Sequence, residues 1–266
     1  MLQRASFQHF TNMFLQKNLS GFLLVLLSFV FLDGCTKGPL CDCFKSTGSD
    51  ISQDRDVSTF SQIQVENKVD VVLTQDTLER IRVVGGKNLI DEVETTVAGG
   101  CLYIRNHSSC NFMRGYSKHM TVYVSVHNLN TLYFNGAGSV ACTNTLHDSL
   151  FTVLATDGSG SVNLTVTAQY ISASINTGPA SIRISGTANE IYMYSAGNGV
   201  IHTDDIPCKE IHLHQHGTGD LYSASLPGSP SSLLDAELTS GGNVYCKGHP
   251  SILQNKQSGT GQLIFF

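Results

Sequence analysis

Apolar and polar residues alternate through most of the chain, and from residue 134 onward the alternation returns at a fixed phase. The turn "FNGAGSVACT" begins at Phe134, and near copies begin at Thr156 ("TDGSGSVNLT"), Asn176 ("NTGPASIRIS"), Ser195 ("SAGNGVIHTD") and Gln215 ("QHGTGDLYSA"). "TSGGNVYCKG" from Thr239 and "QSGTGQLIFF" from Gln257 complete the series. The first Gly of each turn stands at 136, 158, 178, 197, 217, 241 and 259, at intervals of 22, 20, 19, 20, 24 and 18 residues. After each turn one apolar column reads Val140, Val162, Ile182, Ile201, Leu221, Val244 and Leu263. A second, two residues on, reads Cys142, Leu164, Ile184, Thr203, Ser223, Cys246 and Phe265. The column between them (Ala141, Asn163, Arg183, His202, Tyr222, Tyr245, Ile264) is more often polar. The segments before the turns alternate too, with Ile171, Ala173 and Ile175, then Ile191 and Met193, Ile211 and Leu213, and Leu234, Ala236 and Leu238.

A period of two marks strands, and a period near twenty marks a solenoid. No repeat holds a helical run with a 3.6 period. One coil cannot bury its own apolar face, whereas a stack of coils buries a continuous column. The pattern therefore predicts an all-β fold: a parallel β-helix, or β-solenoid, with rungs of about 20 residues built from two or three short strands. Strand-crossover chirality makes it right-handed. Small residues at the turns are expected to supply both φ > 0 and close approach between rungs. Residues 56 to 130 keep the strand character without the clear turn, in "FSQIQVENKVDVVLTQ", "RIRVVGG", "GCLYIRN" and "HMTVYVSV". They are expected to form opening coils of the same domain, with "NLIDEVETTV" a loop or short helix.

Composition narrows the function classes. With 41% hydrophobic and 14% charged residues, the chain is not a disordered one. A net charge of −5 and the absence of a Lys/Arg block argue against a nucleic-acid partner. Many Gly, Ser and Thr residues, and no Trp, fit strands joined by tight turns.

The N-terminal part reads as an address. "GFLLVLLSFVFL" (21–32) is an apolar run preceded by Lys17, and "LDGC" follows it. Such a run rises only about 18 Å as a helix, short of a ~30 Å hydrocarbon core, so it fits a signal-peptide h-region better than a membrane span. The alternative is an uncleaved anchor. Met13 offers a shorter n-region than Met1. "LDGC" resembles the bacterial lipobox, although Asp33 is unusual there; the resemblance implies cleavage before Cys35 and diacylglycerol on its sulfur. The expected organisation is a lipoprotein signal peptide (1–34), a flexible tether (35–55) rich in Gly, Ser and Asp, and one solenoid domain (56–266). The implied location is the bacterial envelope, as an outer-membrane lipoprotein held to the membrane by its lipid.

Eight cysteines leave seven once Cys35 is modified, an odd number that cannot pair wholly within one chain. Cys41 and Cys43 are too close for an easy mutual bond, and no second pair at finger-like spacing suggests zinc. Cys101 and Cys110 could close a loop, which an envelope location permits.

Within the solenoid region, "F-x-x-I-x-V" (Phe60, Ile63, Val65) leads into "VDVVLTQ", "IRVVGGKNLIDEVETTV", "GCLYI", "MTVYVSV" and the series of G-x-G turns. This succession resembles the head GIN domain family, described as candidate autotransporter adhesins of the bacterial envelope. The resemblance spans roughly 57 to 266 and implies a β-solenoid adhesin, with secretion or lipid anchoring in many members.

Right-handed β-helices also carry polysaccharide lyases and hydrolases, which need clustered carboxylates. Here the carboxylates are sparse, the main repeat-region acids being Asp157, Asp204, Asp205, Asp220, Asp235 and Glu237. Asp157 and Asp220 adjoin turns, and "TDDIPCKE" reads as a solvated loop. No catalytic residue and no cofactor is expected. "HLHQHG" sets His212, His214 and His216 on one strand face, about 7 Å apart per step of two. That is too far for one metal ion without help from a neighbouring rung, so no metal is expected either. Stacking of Ile191/Met193, Ile211/Leu213 and Leu234/Ala236 in one inward column would put Tyr192 beside His212 and Asp235, and Tyr194 beside His214 and Glu237. Aromatic rings beside carboxylates and imidazoles suit sugars, so these six form the candidate ligand patch.

Three functions follow in order: a non-catalytic, lipid-anchored adhesin for a glycan or extracellular-matrix ligand; a structural envelope protein assembling with copies of itself; and a glycan-cleaving enzyme. The anchor is directly testable. Cys35→Ser should leave a precursor that incorporates no labelled fatty acid; labelling equal to that of the natural chain would refute the lipoprotein reading.

Overall fold

The computed structural model describes residues 46–108, 120–228 and 232–266. The first part of the domain runs through β1 (Asp50–Arg55), β2 (Gln62–Asn67), β3 (Asp70–Gln75) and β4 (Arg80–Gly86). A 3-10 turn at Ile90–Glu92 then leads to β5 (Val93–Ala98), β6 (Cys101–Asn106) and β7 (Thr121–Val126). The repeats follow as β8 (Thr131–Gly136), β9 (Ser139–Cys142), a two-residue β10 (Leu146–His147), β11 (Leu150–Ala155) and β12 (Ser161–Thr167). Next come β13 (Tyr170–Ile175), β14 (Ser181–Thr187), β15 (Glu190–Ser195), β16 (Val200–Cys208) and β17 (Glu210–Gln215). The last strands are β18 (Leu221–Ser225), β19 (Leu233–Leu238), β20 (Val244–Lys247), β21 (Ser251–Gln257) and β22 (Leu263–Phe265).

Successive repeat strands alternate between two sheets, one running β9-β12-β14-β16-β18-β20-β22 and the other β8-β11-β13-β15-β17-β19-β21. Each rung is thus one strand per sheet and two corners, and all these pairings are parallel. The protein is a β-solenoid of about seven turns with a spacing near 20 residues. In the first sheet the apolar column pairs link by link, Val71 to Val140, Val162, Ile182, Ile201, Leu221, Val244 and Leu263. In the second, Leu132, Val153, Ala173, Met193, Leu213 and Ala236 do the same. These residues meet in one buried core between the sheets.

The corner glycines owe their places to crowding more than to backbone sign. A Cβ on Gly160 would lie 1.8 Å from the carbonyl oxygen of Gly138, and one on Gly219 would lie 1.6 Å from that of Gly199. Only a hydrogen fits under the preceding rung. Among the repeated turn glycines only Gly178 has positive φ, +87°, at the rung where Ala180 replaces the second glycine. Positive φ in the repeats is also found at Asp157, Gly186 and Gly248, so the expected φ > 0 holds at some bends and not at most of the turn glycines.

The opening segment departs from simple coils. Strands β2 and β3 join the two sheets in parallel. By contrast, β4 runs antiparallel to β7 and β1, and β5 antiparallel to β6. The reversal between β5 and β6 is set by Gly99 (φ +60°) and Gly100 (φ +78°), the two positive-φ residues that a two-residue hairpin turn requires. "NLIDEVETTV" divides accordingly into the 3-10 turn and β5. The tether expected over 35–55 gives way to structure at its end, because β1 pairs with β4 along six residues, Asp50↔Gly86 to Arg55↔Ile81. Arg55 fastens this strand to the other sheet: its guanidinium donates to the carbonyls of Ile90 and Val93 and to Thr95 Oγ1. At the opposite end β21 is exposed along its whole length: Ile252, in register with Leu234, is 50% exposed, and Leu253, which the register break past Leu234 skips, is 62% exposed.

The four cysteines among the described residues, Cys101, Cys142, Cys208 and Cys246, are free thiols; Cys110 lies outside the described residues. Cys142 and Cys246 sit five strand pairings apart, about 24 Å at ~4.8 Å per rung, too far to bridge. Cys246 is buried, but Cys142 ends its strand and is only half-buried, its sulfur accepting the Thr165 N–H at 3.1 Å. Burial pushes the Cys208 thiol up to about 11 and raises that of Cys246 as well.

Two measurements check this packing. Thiol labelling of the native protein with peptide mapping should modify Cys142 but spare Cys101, Cys208 and Cys246 until the chain is unfolded; native labelling of Cys246 would displace the register. Gly219→Ala should lower stability by about 3 kcal/mol through overpacking. Ile211→Asp, which buries a charge in the column, should cost on the order of 4 kcal/mol or more, read by denaturant unfolding.

Candidate functional site

The outward face of β15, β17 and β19 follows from the inward one. Ile191 and Met193, Ile211 and Leu213, and Leu234 and Ala236 are buried, so the residues alternating with them must face away from the core. The register pairs Tyr192 with His212 and His212 with Asp235, and pairs Tyr194 with His214 and His214 with Glu237. All six side chains are half-buried in this shared surface. The rings lean along the strands, so aromatic contact is diagonal. Tyr192 packs on His214 (centroids 5.3 Å, 38° between planes) and Tyr194 on His216 (5.5 Å, 40°). Tilted packing leaves part of each ring face open.

The electrostatics are dominated by carboxylates. His212 lies between Glu190 (Nε2 to Oε1, 3.5 Å) and Asp235 (Nδ1 to Oδ2, 3.7 Å). Asp235 Oδ1 is buried without a hydrogen-bond partner. His214 Nδ1 is 3.7 Å from Glu237 Oε2, while Lys256 donates to Glu237 Oε1 at 2.7 Å. The Lys256 ammonium holds the Glu237 carboxyl below the usual range, and burial raises the Tyr192 hydroxyl. His216 Nδ1 meets Thr239 Oγ1 at 2.6 Å.

Several members of this surface escaped the sequence pattern. Glu190 and Glu210 pair in register beside the patch. The signal was present in "NEIY" (189–192) and "KEIH" (209–212), where each Glu precedes the inward Ile at the same phase. Lys256 arrives from β21, beyond a register break that periodicity does not reveal. Among the described residues, two sets of three side chains each bring one donor atom per residue within 4.8 Å of the others: His214, His216 and Glu237, and Glu190, Glu210 and His212.

The other sheet carries a second outward stripe. His202 stacks on Tyr222 (4.3 Å, 11°) and Tyr222 on Tyr245 (4.7 Å, 7°). These rings cover each other's faces and offer mainly edges. A groove of about 910 Å³ lies outside β1, β4 and β7, lined in part by Arg55, Arg80 and Tyr123.

The remaining acids have local partners. Asp157 Oδ1 accepts the Thr177 hydroxyl at 2.7 Å, and Asp220 Oδ1 accepts the Asn243 N–H at 2.8 Å, each tying one rung to the next. "TDDIPCKE" is not a solvated loop: Thr203 to Cys208 belong to β16, with Ile206 and Cys208 buried across a register irregularity. Asp204 faces His202 (3.1 Å) and Asp205 faces Arg183 (3.3 Å). Cys35, the expected lipidation residue, lies outside the described residues.

Fold and surface together define a β-solenoid protein with a polar, aromatic outer face. The chain belongs to the family described as "Putative auto-transporter adhesin, head GIN domain", whose sequence model matches residues 59–250. Among solved structures it is similar to a protein from Bacteroides fragilis described as a putative adhesin, at 21% identity and a TM-score of 0.70, covering 82% of this chain and 97% of that one. A putative adhesin from Parabacteroides distasonis is 20% identical with a TM-score of 0.61, over 82% and 98% of the two chains. A further protein of that organism, described as a putative lipid binding protein, is 19% identical with a TM-score of 0.62, over 83% and 98%. These likenesses concern the fold. No curated protein matches the chain. Among the described residues no helix is long and apolar enough to cross a membrane.

Proposed function

We propose that this protein is a lipid-anchored, non-catalytic envelope adhesin that binds a glycan, or another hydroxyl-rich extracellular ligand, on the outward face of β15, β17 and β19. One observation carries the reading: Tyr192, Tyr194, His212, His214, Asp235 and Glu237 line up across three consecutive strands. The tilted rings offer apolar faces to sugar C–H groups, while carboxylates and imidazoles take hydroxyls. Membership of an adhesin family supports the binding role, and the apolar run ending in "LDGC" supports the anchor. Non-catalysis is supported by the engagement of Asp157 and Asp220 in holding neighbouring rungs together.

A second reading, self-assembly, is favoured by the exposed edge strand β21 with Ile252 and Leu253. A concentration-dependent oligomer in light scattering, with no ligand found, would support it. Release of reducing ends or unsaturated sugars would instead indicate an enzyme.

The test is a glycan and matrix-protein array probed with the mature domain and with a Tyr192→Ala/Tyr194→Ala variant. The variant should lose about tenfold or more in affinity, while its unfolding free energy shifts by about 1 kcal/mol per residue. Unchanged binding in a stable variant removes the patch as the site and turns attention to the groove at Tyr123. A collapse of stability would place the two rings in a structural role.

A further inference from the structure

We propose that His214, His216 and Glu237 form a site for a divalent transition-metal ion of the zinc class. The Cα atoms of residues two apart on a strand are about 7 Å apart, a span that the side chains of His214 and His216 narrow, their ring centroids lying 6.2 Å apart. The adjacent rung adds a third donor, because Glu237 stands in register beside His214. One donor atom from each residue falls within 4.8 Å of the others, and His214 Nδ1 is 3.7 Å from Glu237 Oε2. Ligands about 2.0–2.1 Å from a tetrahedral zinc lie roughly 3.3 Å apart, so side-chain rotations of about 1 Å close the set.

Two imidazoles and a carboxylate are a recognised zinc donor set, one that leaves a fourth position for water or a ligand hydroxyl. The surroundings orient these donors. Tyr192 packs against the His214 ring and Tyr194 against that of His216. His216 Nδ1 is engaged by Thr239 Oγ1 at 2.6 Å; donation of Nδ1–H to this hydroxyl leaves Nε2 as the lone-pair nitrogen, the outer hydrogen bond that metal-bound imidazoles commonly make. Lys256 holds Glu237 Oε1 and leaves Oε2 toward His214. Its ammonium keeps the carboxylate ionised but opposes an incoming cation, so it tunes the affinity downward.

The neighbouring set Glu190, Glu210 and His212 is the weaker candidate. It has one imidazole, and both nitrogens of that ring already face carboxylates, of Glu190 and Asp235.

Metal binding does not depend on the glycan reading and is measured without any glycan. Tag-free protein carrying Cys35→Ser, Cys41→Ser, Cys43→Ser, Cys110→Ser and Cys142→Ser, which leaves only the buried thiols of Cys101, Cys208 and Cys246, is titrated with zinc against a chromophoric chelator. The expected result is one zinc per chain. Binding should weaken about tenfold or more in each of His214→Gln, His216→Gln and Glu237→Gln, with melting curves close to that of the parent. Lys256→Gln, which frees the second carboxylate oxygen and removes the opposing charge, should tighten it several-fold. The site is overturned by a parent that takes up no stoichiometric zinc, or by binding that the three substitutions leave unchanged. Loss of binding on His212→Gln with His214→Gln silent would assign the ion to the other set and equally overturn the proposal.

Discussion

Rungs joined by parallel backbone hydrogen bonds must lie about 4.8 Å apart, and every other feature of this domain answers to that spacing. It brings chemically similar residues into direct contact link after link, so an apolar position in one rung needs an apolar position in the next. It also leaves no room at the corners, where the chain passes directly against the carbonyl of the rung before. Gly160 and Gly219 satisfy that demand by having no side chain. Polar residues in the buried column gain by finding partners locally, which the Ser195 hydroxyl does not do and Gln215 does. Gln215, fully buried below Ser195 and above Leu238, turns back on its own corner, donating to the Gly219 carbonyl and accepting the Gly217 N–H.

The repeat was legible because this spacing imprints itself on sequence. Val140 through Leu263 could be aligned by counting from the turn glycines, and the strands pair along that same column. The opening segment was less legible because it does not repeat. Its direction changes depend on single local devices, above all the Gly99–Gly100 turn between β5 and β6. The strand β1 had no apolar alternation to betray it, since all but one of its residues are exposed and the other is half-buried. Its place is fixed by backbone pairing with β4 and by Arg55, a side chain that reaches another sheet far along the chain.

The candidate surface divides in the same way. Which residues face outward, and which neighbour they meet across the strands, followed from alternation at Ile191, Ile211 and Leu234. Which side chains touch did not. The rings of Tyr192 and Tyr194 lean to the diagonal histidines instead of their register partners, because side-chain direction is set by rotamers rather than by the ladder. Glu237 meets Lys256 across a strand whose register breaks on the way. Pairings of that kind belong to three-dimensional packing and have no period to read.

The antiparallel strand β1 bears on how the domain carries force. Backbone hydrogen bonds in such a pair stand perpendicular to the strands. A pull along β1 from its Asp50 end therefore acts across those bonds, and the six registered pairs from Asp50↔Gly86 to Arg55↔Ile81 bear it together instead of opening one after another. The guanidinium of Arg55, anchored on Ile90, Val93 and Thr95, adds a tie at the far end of the same strand. The entry of the chain into the solenoid is thus built as a shear joint, the arrangement that resists detachment under tension better than a zipper of the same bonds.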